Sequence, residues 1–286
     1  QICSTFLATI RSRVSLTTKM KAQTNNMSMP GDSTVLRQTA AFLAEYASLL
    51  LGCGGTCIRI EKNTKRMAEA FGVNLDIFIM PDHVTVSVWN TAQTHAEIAQ
   101  RRTAHCGISF DLNTRLSQLS WKIADNRLGL PAAVEHFEGI KTTKPTGKWE
   151  VLILTSFANA AFCRLFGGDW FAMLIVFVST LTGYRLKQIM LEDGRDVRLT
   201  FLCASFFSAS ISAGGHIFHI GSTPELALGT SVLYLIPGVP YINAVSDMIY
   251  RHYLCAFSRF FDAAVLTACL SAGLCAGMLM LGLKWF

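Results

Sequence analysis

Two long stretches without a charged side chain, residues 199–220 and 263–283, most constrain what this chain can fold into. A helix that crosses a bilayer needs about 20 mostly apolar residues, and both stretches meet that length. Because lipid offers no partners to backbone N–H and C=O groups, such stretches must form helices that satisfy their own backbone. The second half of the chain is therefore predicted to lie in a lipid bilayer.

Charged residues are concentrated in the first half of the chain. Residues 1–150 contain 17 Lys and Arg with 12 Asp and Glu, whereas residues 151–286 contain 8 and 7. Over all 286 residues 15% are charged, against about 25% in an ordinary soluble domain. This balance excludes a disordered polyelectrolyte, and the asymmetry predicts a soluble domain followed by a membrane domain.

The N-terminal segment is basic and polar. Residues 1–31 contain four basic residues and no acidic one, and they are rich in Ser and Thr. Such a composition is typical of a transit-type peptide. We instead interpret residues 1–33 as a disordered basic tail, with ordered structure beginning at residue 34.

A cytoplasmic α+β domain is predicted over residues 34–145. Helical spacing and strict alternation of apolar residues identify its elements. They are helices over 34–51, 56–71, 112–123 and 131–137, a β-hairpin of 75–79 with 84–88, and a third strand within 97–109. Asp111 is expected to be the N-cap of the third helix.

An all-α membrane domain with five spans is predicted over residues 146–286. The expected spans are 149–166, 170–190, 199–220, 225–249 and 260–284. Four spans with a re-entrant hairpin are the alternative. Lys and Arg are concentrated before the first span, between the second and third, and between the fourth and fifth. By the positive-inside rule the N-terminal domain is cytoplasmic and the C-terminus lies outside.

The fourth span contains two prolines around a glycine, Pro237, Gly238 and Pro240. Proline removes a backbone donor and clashes with the preceding turn, so the helix is expected to break there. Exposed backbone groups at membrane depth are tolerated where they line a water-filled cavity, as in secondary transporters. The break therefore predicts a place where a substrate passes.

Asn243 and Asp247 lie four residues apart in the same span, on one face of the helix that follows the break. An acidic residue at this depth is costly and indicates a function. The alternative is that Asp247 lies at the membrane interface and pairs with Arg251, which is also four residues away.

Polar residues also follow one face of the third span. They are Ser205, Ser208, Ser212, His216 and His219. Such a stripe is expected to line a substrate path, although serines also bond back to carbonyls of their own helix. Asn159 in the first span is a further candidate for the path, or a contact between helices.

The polar half lacks a strong catalytic or metal-binding motif. Cys53 and Cys57 have no second pair of the kind that zinc sites use. A Gly-x-Ser-x-Gly nucleophile elbow is absent from the sequence, and Arg101-Arg102 lacks the interleaved aromatic residues of nucleic-acid-binding surfaces. We therefore expect no enzyme activity, no cofactor, no metal ion and no nucleic-acid partner.

Three motifs, in order, resemble the threonine/serine exporter family over residues 34–286. They are Gly54-Gly55-Thr56-Cys57-Ile58-Arg59-Ile60-Glu61, then Leu165-Phe166-Gly167-Gly168-Asp169, and then Pro237-Gly238-Val239-Pro240-Tyr241-Ile242-Asn243-Ala244-Val245-Ser246-Asp247-Met248 with Arg259 downstream. From the first, the resemblance marks Gly54, Gly55, Thr56, Arg59 and Glu61 as its cytoplasmic motif. Residue 55 is Gly where the family often has Ala.

Fused members of this family contain two membrane halves, and this chain is similar to the split type, in which two separate membrane subunits are needed. Members of the split type are assigned to succinate export. The resemblance thus implies a subunit of a bacterial inner-membrane exporter of small carboxylates, either succinate or threonine and serine. Its implied partners are a second membrane subunit in a hetero- or homo-oligomer and the lipid bilayer. Five spans per half would relate the two halves as inverted repeats.

The residues of the fourth span are compatible with such export, and we expect three roles for them. The positive end of the half-helix after Pro237-Gly238 would face the carboxylate of the substrate, Asn243 would hydrogen-bond it, and Asp247 would carry a proton. Two other classes stay open. A sensor or assembly protein that is merely anchored in the membrane has no need of a broken span, and a membrane-bound hydrolase would need a nucleophile and base in one pocket.

Overall fold

The computed structural model describes residues 30–91, 95–103, 106–143, 146–218 and 220–282. The chain is mostly helical and forms two compact units. One comprises the chain up to Thr142 together with the short segment Tyr250–Cys255, and the other comprises Thr143–Ile249 and the chain from Ala256 onward. We call them the N-terminal unit and the helical unit. The predicted tail falls almost entirely outside the described residues.

The N-terminal unit contains four helices and a small sheet among its described residues. In chain order they are α1 (Pro30–Gly52), α2 (Cys57–Ala70), β1 (Asn74–Ile79), β2 (His83–Trp89), β3 (Ala96–Arg102), α3 (Phe110–Asn126) and α4 (Leu130–Lys141). The strands pair antiparallel in the order β1-β2-β3. Each element predicted for this half is present, with ends that differ by a few residues.

The middle strand shows why this sequence forms a sheet that is covered on one face. Val84, Val86 and Val88 are fully buried, whereas the residues between them are partly exposed. Successive side chains of a strand point to opposite faces, so the three valines share the covered face. Helix α1 packs against β2 and β3, and the valines belong to the same buried cluster as Leu43 and Leu50 of that helix.

Polar groups join three helices in the interior of the N-terminal unit. The Tyr46 hydroxyl donates to the carbonyl of Leu116 at 2.8 Å and accepts from Asn63 Nδ2 at 3.0 Å. Arg66 donates to Asn63 Oδ1 at 3.1 Å and to Ser120 Oγ at 2.7 Å. Because Tyr46 is fully buried, these bonds fix α1 against α2 and α3 at definite positions.

The N-cap of α3 is Ser109, so the prediction of Asp111 was wrong. The Ser109 side chain accepts from the backbone N–H of Leu112 at 3.3 Å. Asp111 lies in the first turn, where it pairs with Arg115 at 2.8 Å. Both residue types are good caps, and the helix begins two residues earlier than the apolar spacing indicates.

The helical unit is formed by the rest of the helices. They are α5 (Lys148–Leu165), α6 (Trp170–Glu192), α7 (Val197–Ile217), α8 (Pro224–Thr230), a 3-10 turn (Leu233–Leu235), α9 (Gly238–Ile249) and α10 (Tyr253–Met280), whose first three residues belong to the N-terminal unit. Helix α6 packs against both α5 and α7. Helices therefore occupy all five regions in which spans were predicted.

Two of these helices, α7 and α10, are long and apolar enough to cross a membrane. The segment from α8 to the 3-10 turn passes the same test together with α9, although the two parts are bent by 59° at their junction. The described residues thus contain two or three candidate spans. Helix α5 contains Lys148, Glu150 and Arg164 within only 18 residues, and the count of five spans stays a prediction.

Asp169 connects two turns of the helical unit. Its carboxylate caps α6 by accepting from the backbone N–H of Ala172 at 2.7 Å, and it accepts from the backbone N–H of Ser222 at 2.6 Å. The Thr223 hydroxyl donates to it at 3.2 Å. Gly221 has φ +88, and a Cβ there would lie 2.6 Å from the same carboxylate. Asp169 therefore ties the α5–α6 turn to the α7–α8 turn, and the neighbouring turn must contain glycine.

Replacing Tyr46 with Phe is expected to destabilise the N-terminal unit. The change removes the hydrogen bond from the Tyr46 hydroxyl to the Leu116 carbonyl, and it takes away one of the acceptors of Asn63 Nδ2. A typical buried hydrogen bond contributes about 0.5–1.5 kcal/mol to the unfolding free energy. The measurement is the denaturant midpoint at which the buried thiols of Cys53 and Cys57 become reactive to maleimide in the full chain.

The matched control is Tyr250→Phe, because the Tyr250 side chain is half exposed. It should leave the midpoint unchanged. Equal midpoints for Tyr46→Phe and the unmodified chain would contradict the role given to the Tyr46 hydroxyl.

The Asp169 connection is expected to be acid-labile. Hydrogen bonds from the backbone N–H groups of Ser222 and Ala172 lower the pKa of Asp169 from its ordinary value of 3.8. The folded state therefore holds this proton less tightly than the unfolded chain does. The contribution to stability is fully present above about pH 4 and is lost as the pH falls through the lowered pKa.

Hydrogen exchange measures this directly. The protection of the Ser222 and Ala172 amides, corrected for intrinsic exchange, should be unchanged from about pH 5 to about pH 4 and should fall at a lower pH, as the pH passes through the lowered pKa of Asp169. In Asp169→Asn the protection should be low at both pH values, because the charge is absent throughout. Protection in the unmodified chain that does not change with pH would argue against the connection.

Candidate functional site

Asn159 of α5 is buried where three helices of the helical unit meet. Its Nδ2 donates to Thr180 Oγ1 on α6 at 2.6 Å and to the Thr230 carbonyl at the end of α8 at 3.1 Å. An amide nitrogen has two hydrogens to donate, so both are used. Asn159 thus connects α5, α6 and α8, which is the contact between helices that the sequence left open as an alternative.

Ser208 of α7 connects to the segment before the break. Its hydroxyl donates to the Ser179 carbonyl at 3.1 Å and lies 2.9 Å from the Tyr234 hydroxyl. The contact needs glycine at position 183, since a Cβ there would overlap both hydroxyl groups. Tyr234 was not singled out from the sequence, because a tyrosine within an apolar run is equally typical of a membrane interface.

A cavity of about 360 Å³ lies beside this polar cluster and is open on one side. Its wall carries the polar groups of Asn159, Tyr234 and Thr155 within an otherwise apolar surface. The lining residues are Thr155, Ala158, Asn159, Phe162, Phe166, Leu233, Tyr234 and Ile236. None of these side chains is charged. This volume is near the lower limit of the volumes of ligand-binding cavities. A mostly apolar wall with a few polar groups is typical of such cavities.

The predicted break in the fourth span is present. The 3-10 turn ends at Leu235, α9 begins at Gly238, and the two parts differ in direction by 59°. Pro237 lies between them, and Pro240 lies in the first turn of α9, where a missing backbone N–H costs nothing. The break is thus adjacent to the cavity wall formed by Leu233, Tyr234 and Ile236.

The first turn of α9 has few backbone donors to offer an anion. The Gly238 N–H donates to the Ile236 carbonyl at 2.8 Å, and the Tyr241 N–H donates to the Pro237 carbonyl at 3.3 Å. Pro240 has no N–H at all. The expected role of this helix end in facing a carboxylate therefore depends on the helix dipole more than on direct hydrogen bonds.

Asp247 is fully buried and pairs with Arg259 of α10. Its Oδ2 lies 2.9 Å from Arg259 Nη1, and the Arg259 side chain is 17% exposed. Arg251, the alternative partner considered from the sequence, is exposed in the turn after α9. Burying a carboxylate without a counter-charge is costly, and the guanidinium of Arg259 lies where it offsets that cost. Asn243 lies one turn before Asp247 and is half-buried.

The predicted stripe on α7 divides into parts with different surroundings. Ser205 donates to the carbonyl of Leu202 at 3.0 Å and packs against Gly273 of α10, where a Cβ would overlap its hydroxyl. Ser212 is fully buried, and neither its hydroxyl nor His216 Nδ1 has a hydrogen-bond partner within the described part of the chain. His219, the last member, lies outside the described residues.

The glycines of the motif predicted to be cytoplasmic form the turn between α1 and α2. Gly54 has φ +90, and a Cβ on it would meet Ile108 at 3.3 Å. A Cβ on Gly55 would lie 2.6 Å from the Leu50 carbonyl. Thr56 occupies the N-cap position of α2 without a hydrogen bond from its side chain. These residues permit a close turn, and an Ala at position 55 would require the turn to shift.

The charged residues of the motif contact other parts of the N-terminal unit. Arg59 Nη1 donates to Asn113 Oδ1 on α3. Glu61 Oε2 lies 3.5 Å from His252 Nε2, in the segment Tyr250–Cys255 that folds with this unit. The five motif residues thus act through packing and side-chain contacts within the unit.

The Cys53 thiol of the N-terminal unit is a weak nucleophile at neutral pH. Burial, with a smaller effect of nearby Cys106, raises the pKa of the Cys53 thiol to about 12, so the reactive thiolate is scarce at neutral pH. Within the described ranges, no group of three or more His, Cys, Asp and Glu residues is placed to hold a metal ion.

Comparison with known proteins gives the family. The family model described as "Putative threonine/serine exporter" matches residues 41–281. A protein of Klebsiella aerogenes named "Probable succinate transporter subunit YjjP" is 23% identical over 260 residues, which cover 90% of this chain and 99% of that protein. The protein of the same name from Escherichia coli (strain K12) is 23% identical over 239 residues, 82% of this chain and 91% of that protein. No solved structure matches. Because the family model covers most of its length, including both units, the chain belongs to the threonine/serine exporter family, a family of transporters.

Proposed function

We propose that this chain is one subunit of an inner-membrane exporter of small carboxylates, and that a second membrane subunit supplies the other half of the path. Succinate is the first candidate substrate, and threonine and serine are the next. The observation that carries the proposal is the apolar segment broken by 59° beside a cavity of about 360 Å³. Membership in a transporter family and the two relatives named as succinate transporter subunits support it.

The break favours transport over simple anchoring. Backbone groups that leave a regular helix in an apolar environment lose partners, at a cost of several kcal/mol for each unsatisfied group. A sensor or assembly protein gains nothing from that cost. A transporter does gain, because irregular backbone beside a cavity allows neighbouring segments to move and to contact a substrate.

The cavity wall supports the need for a second subunit. A carboxylate that enters the cavity loses hydration, and none of the side chains of this chain that line the wall carries a compensating charge. The cavity is also open on one side. We assign the counter-charge to the second subunit, which would close that side. Asn159 and Tyr234 then fix the geometry of this half of the path.

Asp247 and Arg259 form the coupling element of the proposal. An ionised Asp247 attracts Arg259 at 2.9 Å, whereas a protonated one does not. The ion pair therefore has two states that differ by one proton, and α9 is free to move against α10 in one of them. A substrate that binds better to one of these states shifts the balance between them and so couples its movement to that of a proton.

The proposed topology follows the charge distribution of the sequence. Five segments, formed by α5, α6, α7, the α8–α9 pair and α10, would cross the inner membrane. The N-terminal unit would lie in the cytoplasm, and the chain would end outside. Ser208, Ser212 and His216 of α7 would continue the path beyond the cavity, because their side chains are polar and face the interior of the unit.

Flux measurements test the proposal as a whole. Inside-out vesicles that contain this chain together with the second subunit should accumulate labelled succinate, threonine or serine, and vesicles with either subunit alone should not. The absence of substrate-dependent flux in every combination would reject transport of these acids.

Filling the cavity is expected to block transport without disturbing the fold. Ala158 lines the cavity and is exposed, so Ala158→Phe adds volume where the substrate would sit. The initial rate of uptake into the vesicles should fall at least about tenfold, because the added ring excludes a ligand from so small a space.

The matched control is Ala161→Phe. Ala161 lies on the same helix and is exposed, but it does not line the cavity. It should keep the uptake rate of the unmodified protein. If both variants transport alike, the cavity is not on the path.

Asp247→Asn is expected to uncouple transport from the proton gradient. Asparagine is isosteric with the protonated acid and cannot release a proton, so uptake should no longer respond to an imposed pH gradient. Exchange of labelled for unlabelled substrate at equal pH should persist. Because breaking a buried pair costs about 3–5 kcal/mol, Asp247→Asn combined with Arg259→Gln provides a version without an uncompensated charge.

Asp262→Asn serves as the control for this change. It removes one carboxylate from the same helix as Arg259 and should leave the pH dependence intact. Unchanged uptake and unchanged pH dependence in Asp247→Asn would rule out the coupling role.

A further inference from the structure

We propose that Glu61 and Cys255 are positioning residues for the Asp247–Arg259 ion pair. They hold the connection between α9 and α10, and through it they set how closely the two charges approach. This inference rests on the proposed function, in which the pair couples transport. It assigns a role in transport to the N-terminal unit, and it explains why Glu61, the acidic residue of the motif predicted to be cytoplasmic, lies close to His252.

The connection between the two helices is short and belongs to the N-terminal unit. Helix α9 ends at Ile249 and α10 begins at Tyr253, while the segment Tyr250–Cys255 folds with the N-terminal unit. Arg251 has φ +65, a left-handed conformation that non-glycine residues rarely adopt. A turn of only three residues in such a conformation cannot lengthen much. A displacement of the segment Tyr250–Cys255 is therefore expected to displace both α9 and α10.

Glu61 provides the first attachment of this segment. Its Oε2 lies 3.5 Å from His252 Nε2, and the side chains are 47% and 24% exposed, respectively. A contact at this distance and exposure is weak. It is suited to adjustment, because a small movement of α2 would make or break it.

Cys255 provides the second and stronger attachment. The side chain is 2% exposed and belongs to the apolar core of the N-terminal unit. Its Sγ donates to the carbonyl of Ile79, at the end of β1, at 3.5 Å. The thiol behaves mainly as a small buried apolar group, so the first turn of α10 is fixed in that core by burial.

Helix α10 connects the buried Cys255 to Arg259 of the ion pair. Cys255 and Arg259 are four residues apart in α10, which places them on one face and about 6 Å apart along the axis. One turn of helix is stiff, so a shift of Cys255 moves Arg259. On the other side of the connection, Asp247 lies three residues before Tyr250. The two charges therefore flank a segment that the N-terminal unit holds.

A charge exchange tests the Glu61 attachment in the assembled exporter. Glu61→Lys and His252→Glu alone should each lower kcat about two- to fivefold, the range expected of an exposed pair, with KM for the substrate unchanged. The double variant has opposite charges at the two positions, with their order exchanged, and should regain kcat. Glu69→Lys is the matched control, because Glu69 is exposed on the same helix, and it should have no effect. Single variants that transport like the unmodified protein, or a double variant that stays impaired, would overturn the assignment.

Hydrogen exchange on the full chain in lipid nanodiscs tests the Cys255 attachment without any substrate. In Cys255→Ala the amides of residues 244–249 and 256–262 should exchange several-fold faster than in the unmodified chain, because burial of the anchor is reduced. Cys269→Ala on the same helix is the control and should not change these segments.

The two experiments separate this inference from the proposed function. If no acid is transported in any combination of subunits, faster exchange in Cys255→Ala would still support the attachment. If the unmodified exporter transports but exchange in both segments is unchanged in Cys255→Ala, the attachment fails and the transport function stands.

Discussion

Backbone N–H and C=O groups that are removed from water need partners within the protein, and the helical unit depends on this requirement throughout. Regular helices meet it for most of the unit. At the break the chain meets it with short local bonds, from Gly238 to Ile236 and from Tyr241 to Pro237. The Thr230 carbonyl, at the end of α8, receives the Asn159 side chain instead. A departure from helix is therefore stable here because neighbouring groups supply what the helix has lost.

The same requirement decides where polar side chains lie. Asn159, Ser208 and Tyr234 bond to elements other than their own, and Asn159 and Tyr234 line one small cavity. Asp247 follows the rule for charges, since its buried carboxylate is matched by Arg259. Other buried hydroxyls of the unit, such as those of Ser156 and Ser231, bond back to carbonyls of the preceding helical turn.

Much of this arrangement is encoded locally and could be predicted. Uninterrupted apolar stretches identify α7 and α10 as candidate spans, and the two prolines around Gly238 identify the break, because each signal lies within a few residues of what it determines. Alternation of Val84, Val86 and Val88 likewise identifies the middle strand. The partner of Asp247 could not be found this way. The spacing of four points to Arg251, whereas the turn at that residue brings Arg259, twelve positions away, to the carboxylate.

Contacts between distant parts of the sequence account for the other differences. Cys255 donates a hydrogen bond to the carbonyl of Ile79, 176 positions away. The periodicity of neither segment predicts that contact. The hydroxyl of Tyr234 contacts that of Ser208 only because position 183 on α6 is a glycine. The sequence around the tyrosine does not reveal this requirement. The N-cap of α3 could not be predicted for a simpler reason. Ser109 and Asp111 are both suitable N-cap residues, and only the exact start of the helix decides between them.

The Asp169 connection has a consequence for the order in which the helical unit is assembled. Asp169 and its principal donor Ser222 are separated by 53 positions, so the carboxylate leaves the ribosome well before the backbone group that it will accept from. Until then the α5–α6 turn has only its own hydrogen bonds, from the Gly167 and Gly168 N–H groups, from the Arg164 side chain and from the Ala172 N–H to Asp169. The second set of donors to Asp169, from Ser222 and Thr223, is added only after α7 has been synthesised. The last bonds of the first turn are thus made by the second.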